Sequence, residues 1–192
     1  MPPTGWYEVA NKIMVRSYLQ YVSRAAAAAV VAALALPGLA LAHTSAGTTP
    51  TWLSNDSKHH TATLTLVAAY TQDTAGFNFN GYSHGKMTIT VPVNYTINVV
   101  FSNDAPLAHS VVFTAYSAKL ASQSGFSPVF KGAESPNPSS GSNKGKTYRF
   151  SFLANKVGSY AIVCAVSGHA AAGMWDYFRV VKSGSASISI SK

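Results

Sequence analysis

Two short apolar runs, YAIVCAV and MWDYFRVV, flank a loop of small and polar residues, SGHAAAG, and this strand-loop-strand stretch at 158–181 constrains the chain more than any other. Across it Cys164, His169 and Met174 follow the spacing Cys-x4-His-x4-Met. A thiolate, an imidazole and a thioether form a soft set that suits copper better than zinc, calcium or magnesium. A trigonal copper site with a weak axial Met needs a second imidazole. His109 is the natural candidate, because in NDAPLAHSVVFTA it stands where a turn-rich stretch meets a β-branched run.

Taken singly, each of these residues has a plainer reading: a lone Cys is usually a small buried hydrophobe, and a Met usually fills core. Their joint placement is what argues for a metal. Cys164 ends one expected strand and Met174 starts the next, so the loop between them crosses one end of the fold with His169 at its middle. His59, His60 and His84 lie in polar stretches and are expected to be solvated.

The rest of the chain reads as short strands between turns. Period-2 alternation or an apolar β-branched run marks strands at 61–69, 77–82, 86–91, 95–102, 109–115, 147–153, 158–166 and 174–181, bounded by Gly, Asn and Pro. Between 116 and 146 the chain is dense in Pro, Ser, Gly and Asn, a long loop with a short helix expected at 118–122. About eight strands at this spacing predict a single all-β domain, an antiparallel Greek-key β-sandwich.

At these residues the chain resembles the blue copper proteins, most closely the sulfocyanin and rusticyanin branch. The resemblance rests on Gly158-Ser159-Tyr160 leading to Cys164, on the two equal spacings, on His109 followed by Ser110, and on Phe77-Asn78-Phe79-Asn80-Gly81. It covers roughly residues 61–182 and implies a cupredoxin-like fold, a type 1 copper ion held by His109, Cys164, His169 and Met174, and one-electron transfer. It also implies that Ser110 approaches the Cys164 sulfur. Phe113, Tyr160, Trp175 and Phe178 are expected to keep water from the metal. Small apolar residues at 106–108 and 170–173 are expected to form a flat docking patch around His169 for respiratory redox partners, a cytochrome or quinol-oxidising complex and a terminal oxidase. No His-x-His pair of the kind copper oxidases and nitrite reductases use occurs, so a carrier is expected and not an enzyme. The alternative is a periplasmic copper-binding or delivery protein.

Residues 1–42 read as an export segment: an apolar stretch at 25–42 follows Arg16 and Arg24 and ends in Ala40-Leu41-Ala42. If uncleaved, the segment is a short membrane anchor. Either way the location is periplasmic or extracytoplasmic. Cleavage after Ala42 makes His43 an N-terminal chelate for copper. Residues 43–60 are expected to be a flexible leader, and 183–192 a Ser-rich tail that frays or adds an edge strand. A single Cys leaves no internal disulfide, no zinc ribbon and no paired-Cys dinuclear copper site.

Composition narrows the partners. Basic residues number 14 against 6 acidic, a formal net charge of +8, but they are scattered singly, which argues against nucleic acid. A monomer is expected. So few carboxylates suit an acidic environment, where native-state pairings of carboxylates are lost on protonation.

Overall fold

Alternation decides the strands. In β2, Thr61–Ala68, the side chains of Ala62, Leu64, Leu66 and Ala68 are buried while the intervening threonines are half-buried. β4, Tyr95–Asn103, repeats the pattern with Tyr95, Ile97, Val99 and Phe101 inward, and β3, Met87–Pro92, with Met87, Ile89 and Val91. One face of each strand therefore builds core. The remaining strands are β1, Leu53–Asp56; β5, Val112–Ala115; β6, Lys146–Ala154; β7, Gly158–Val163; β8, Trp175–Val181; and β9, Ser187–Ile190. The computed structural model describes residues 51–117, 120 and 125–192, all within one unit, Thr48–Lys192. No α-helix occurs among the described residues. The export segment, His43 and all of the 118–122 helix except Leu120 lie outside them.

Two sheets face each other, in the orders β1-β2-β4-β6 and β5-β7-β8-β3-β9. The all-β sandwich is as expected, with nine strands in place of about eight. Both sheets, however, are mixed. β2 runs parallel to β4, with Leu64 opposite Val99, and β3 runs parallel to β8, with Ile89 opposite Phe178. The other pairings are antiparallel. The cause is that β3 leaves the sheet of β2, and β4 returns to it. Only Val93 and Asn94 join β3 to β4, yet these strands belong to different sheets. Asn94 makes that corner with a φ of 65°, which Asn tolerates better than most residues. Its N–H donates to the Ala154 carbonyl at 2.8 Å, while that of Val93 donates to Val181 at the same distance, so each residue is tied to a different sheet.

An aromatic cluster fills the space between the sheets. Phe113 lies 4.7 Å from Phe152 and 5.0 Å from Phe178, and Phe130 lies 5.4 Å from Phe152 and 4.9 Å from Tyr160. Each such ring contributes about 1.5–3 kcal/mol by burial alone. A smaller cluster of Val112, Leu120, Ala161 and Val163, edged by Phe126 and Trp175, lies apart from this core.

Two expectations change at the margins, and the open one about the tail is decided. The leader expected to stay flexible to residue 60 contains β1, which pairs antiparallel with β2 from Leu53–Leu64 to Asp56–Thr61. Its turn is closed by the Asp56 carboxylate, which accepts the His59 N–H at 3.1 Å and meets His59 Nδ1 at 2.6 Å. The Ser-rich tail forms β9 on the outer edge of β3. Residues 77–82 are not a strand but a turn, with isolated bridges Ala68–Phe79 and Phe79–Tyr82, because Asn78 and Asn80 take backbone groups that a ladder would use.

Candidate metal centre

β7 delivers Cys164 and β8 receives Met174, and the loop between them is folded back on itself by its own backbone. The Cys164 N–H donates to the Met174 carbonyl at 3.1 Å, Met174 N–H to His169 at 3.0 Å, and His169 N–H to Val166 at 3.1 Å. Gly173 turns the loop with a φ of 93°, and a Cβ there would fall into the His84 ring, which rests on it. His84, expected to be solvated, is exposed but donates its N–H to the Gly173 carbonyl at 2.8 Å.

His109 arrives from the other side. It precedes β5 and is bridged to Ser142 of the long loop: Ser142 N–H and Oγ donate to the His109 carbonyl at 2.7 and 3.0 Å, and His109 N–H donates to Ser142 at 3.2 Å. Gly141 lies so close that a Cβ would stand 3.0 Å from His109 backbone atoms. Asn103 at the end of β4 sets the turn, donating through Nδ2 to the Leu107 and Ser142 carbonyls at 2.8 and 2.6 Å and accepting the Ala105 N–H at 2.9 Å. The turn was legible in Asn103-Asp104-Ala105-Pro106. The reach of Asn103 to Ser142 was not, since no local spacing encodes it.

The structure brings all four expected residues together. His109 Nδ1 is 3.2 Å from His169 Nδ1 and 3.1 Å from Met174 Sδ, while Cys164 Sγ is 3.3 Å from His169 Nδ1 and 3.9 Å from His109 Nδ1. His109 is 1% exposed, Cys164 and Met174 0%, and His169 9%. The four donor atoms thus converge on one point. Burial, reinforced by the neighbouring His169, holds the His109 imidazole down to about 4, and burial also lowers His169. Both rings are therefore neutral at pH 7 and offer a lone pair. Burial pushes the Cys164 thiol up, opposed by the Ser110 and Val166 N–H groups and the Ser110 hydroxyl, so a metal that takes the thiolate displaces a proton.

Ser110 makes the approach expected of it: its N–H donates to Cys164 Sγ at 3.3 Å, and its hydroxyl lies 3.7 Å from the same sulfur while accepting the Ala165 N–H at 3.0 Å. The aromatic cover differs from expectation. Phe113, Tyr160 and Phe178 share the main core with Cys164 and Met174, but Trp175 packs with the smaller cluster. The ring on the histidines is Phe77, half-buried, 4.8 Å from His169 and 6.3 Å from His109 between centroids.

A family model for the sulfocyanin (SoxE) domain matches residues 48–191, a span that includes every one of these side chains. The chain belongs to the sulfocyanin family. The sulfocyanin of Sulfolobus acidocaldarius is 30% identical over 125 residues, which cover 62% of this chain. The match spans 63% of that relative's length. Among solved structures, dithionite-reduced auracyanin of Roseiflexus castenholzii aligns at 21% identity and TM-score 0.46, covering 62% of this chain and 96% of that one. Rusticyanin of Thiobacillus ferrooxidans aligns at 21% and 0.44, covering 68% and 88%. In this family the cofactor is copper, and the donor set here is arranged as a type 1 site, two imidazoles and a thiolate with a thioether as the fourth group.

Proposed function

We propose that the chain is an extracytoplasmic one-electron carrier in which His109, Cys164, His169 and Met174 would hold a copper ion. The observation that carries this reading is the convergence of four buried soft donors within 3.1–3.9 Å of their neighbours. Copper in such a site exchanges one electron between Cu(I) and Cu(II) without transforming a substrate. The protein's part is to keep the donors still. Cys164 and Met174 are tied to each other by a backbone hydrogen bond, and His109 is fixed to Ser142, which would hold the donors in place while the ion changes charge. Ser110 draws charge from the Cys164 sulfur, and the surrounding core excludes water, both of which tune the potential.

The exposed Pro106, Leu107 and Ala171, with half-buried Ala108 and Ala172, supply an apolar surface beside His169 for brief docking of redox partners. By this reading those partners are respiratory, a cytochrome or quinol-oxidising complex on one side and a terminal oxidase on the other. Copper delivery is disfavoured by the burial of Cys164 and Met174, since a donor protein must hand its ion over. The test is the visible and electron paramagnetic resonance spectrum of the Cu(II) protein beside Cys164→Ser. An intense blue band with narrow hyperfine splitting, lost in the variant, is expected. A colourless protein with ordinary splitting that is indifferent to Cys164 overturns the assignment.

A further inference from the structure

Phe77 supplies no ligand atom, yet the backbone adopts an unfavourable course to place it. Three successive residues before it have positive φ, Thr74 at 56°, Ala75 at 53° and Gly76 at 82°. Two of them are not glycine, and L-residues avoid this region unless their surroundings impose it. The surroundings here do. Asn78, 1% exposed, donates through Nδ2 to the Thr71 and Asp73 carbonyls at 2.9 and 3.1 Å and accepts the Gly81 N–H at 3.1 Å. Asn80, 3% exposed, accepts the Val67 N–H at 2.6 Å and donates to the Thr65 carbonyl at 2.9 Å, which ties the turn to β2. Phe79 is sunk in the core between them. In Phe77-Asn78-Phe79-Asn80-Gly81, the two amides and Phe79 are thus anchors, and Phe77 is what they hold out toward the site.

Phe77 is placed to give His169 a hold. A metal-bound imidazole is normally oriented by a hydrogen bond from its other ring nitrogen to a carboxylate, carbonyl or water. Among the described residues the polar contacts of His169's ring all involve Nδ1, the atom facing Cys164 and His109, and none involves Nε2. Outside the donor cluster, the aromatic ring that meets it among the described residues is Phe77, edge to face at 4.8 Å with an interplanar angle of 69°, a favoured aromatic geometry.

We infer that Phe77 is a positioning residue: clamped by Asn78 on its left-handed turn, its ring orients the His169 imidazole and seals water and small ligands off from the metal. The inference rests on the copper reading above. It assigns the job that a carboxylate or carbonyl does elsewhere to an aromatic edge.

The test uses the full-length protein as wild type, Phe77→Leu, which keeps bulk but removes the ring, and Phe77→Tyr, which restores it. In the copper-free proteins, NMR of the His169 ring protons reads the ring-current shift from Phe77, expected in wild type and Phe77→Tyr and lost in Phe77→Leu. With Cu(II) bound, azide leaves the wild-type and Phe77→Tyr spectra unchanged but perturbs that of Phe77→Leu. That variant also binds copper about tenfold more weakly or worse, and its reduction potential moves down as water reaches the site. Absence of a ring-current shift in wild type overturns the proposal, and so does a Phe77→Leu protein with wild-type potential and no azide response. A wild-type protein that never turns blue overturns the copper reading and this one together. The two failures are told apart because in the former cases the wild type is blue.

Discussion

The hydroxyl of Ser110 is a single group with two partners, the Cys164 sulfur at 3.7 Å and the Ala165 N–H at 3.0 Å, while the backbone N–H of the same residue serves the sulfur independently. Ser110→Ala therefore keeps one sulfur contact and removes the other. It also leaves the Ala165 N–H without its acceptor, which costs about 1–3 kcal/mol. Urea denaturation of the copper-free variant reads that loss, and voltammetry of the copper form reads a lower potential, since hydrogen bonds to the sulfur favour the electron-rich reduced centre. At this scale the sequence told most about residues whose partners are near in the chain. Cys164, His169 and Met174 share one loop, and Ser110 follows His109, so spacing alone grouped them. The roles of Phe77, Asn103 and Ser142 were not legible, because each acts on a residue far along the chain, and an Asn in a turn or a Phe after a Gly has many ordinary uses.

At the level of the elements, alternation located β2, β3, β4 and β6 to within a residue or two at most of their ends but gave the wrong neighbours. Period 2 tells which face of a strand is buried and says nothing about which strand lies beside it. A two-residue link such as Val93-Asn94 normally closes a hairpin, and here it turns a corner between sheets, which is why β2 and β4 end up parallel. β1 was hidden for another reason: it is an edge strand, Leu-Ser-Asn-Asp, with three of its four residues exposed, held by backbone pairing more than by side-chain burial. The corner is open to test. At a φ of 65°, Asn94→Ala places a Cβ in the left-handed region at a cost of about 1–2 kcal/mol, whereas Asn94→Gly is close to neutral. Chemical denaturation that ranks Ala level with Gly would show that the corner relaxes.

For the molecule as a whole, the scarcity of carboxylates has a structural counterpart. The salt bridge found among the described residues is Asp56–His59, and both partners are exposed. His59 hydrogen bonds lower the Asp56 pKa, so its small contribution is lost as pH falls. Asp176 works the other way. It is 0% exposed, its Oδ1 accepts the Met87 N–H at 2.9 Å, its Oδ2 has no partner, and burial raises its pKa from 3.8 to about 8. Between those values the carboxyl is protonated in the fold and ionised in the unfolded chain, so folding takes up a proton and stability falls as pH rises. Asp176→Asn mimics the protonated group. In copper-free protein the melting temperature of this variant is expected to match wild type near pH 4 and to exceed it increasingly toward pH 8, and the difference between the two proteins cancels the opposite effect of His109. A gap that does not change with pH would show that Asp176 titrates normally. Acid therefore relieves the one buried carboxyl among the described residues, while in copper-free protein it works against the buried, neutral His109 and His169.

The placement of His109 has one further effect. It stands before β5, whereas Cys164, His169 and Met174 follow β7, so an ion shared among them ties together two points separated by the whole of the β5–β6 loop. Chain that was free to open becomes a closed ring, and the unfolded ensemble loses the corresponding conformations. An ion held there would oppose opening of the chain, and copper-loaded protein is expected to outlast copper-free protein in limited proteolysis.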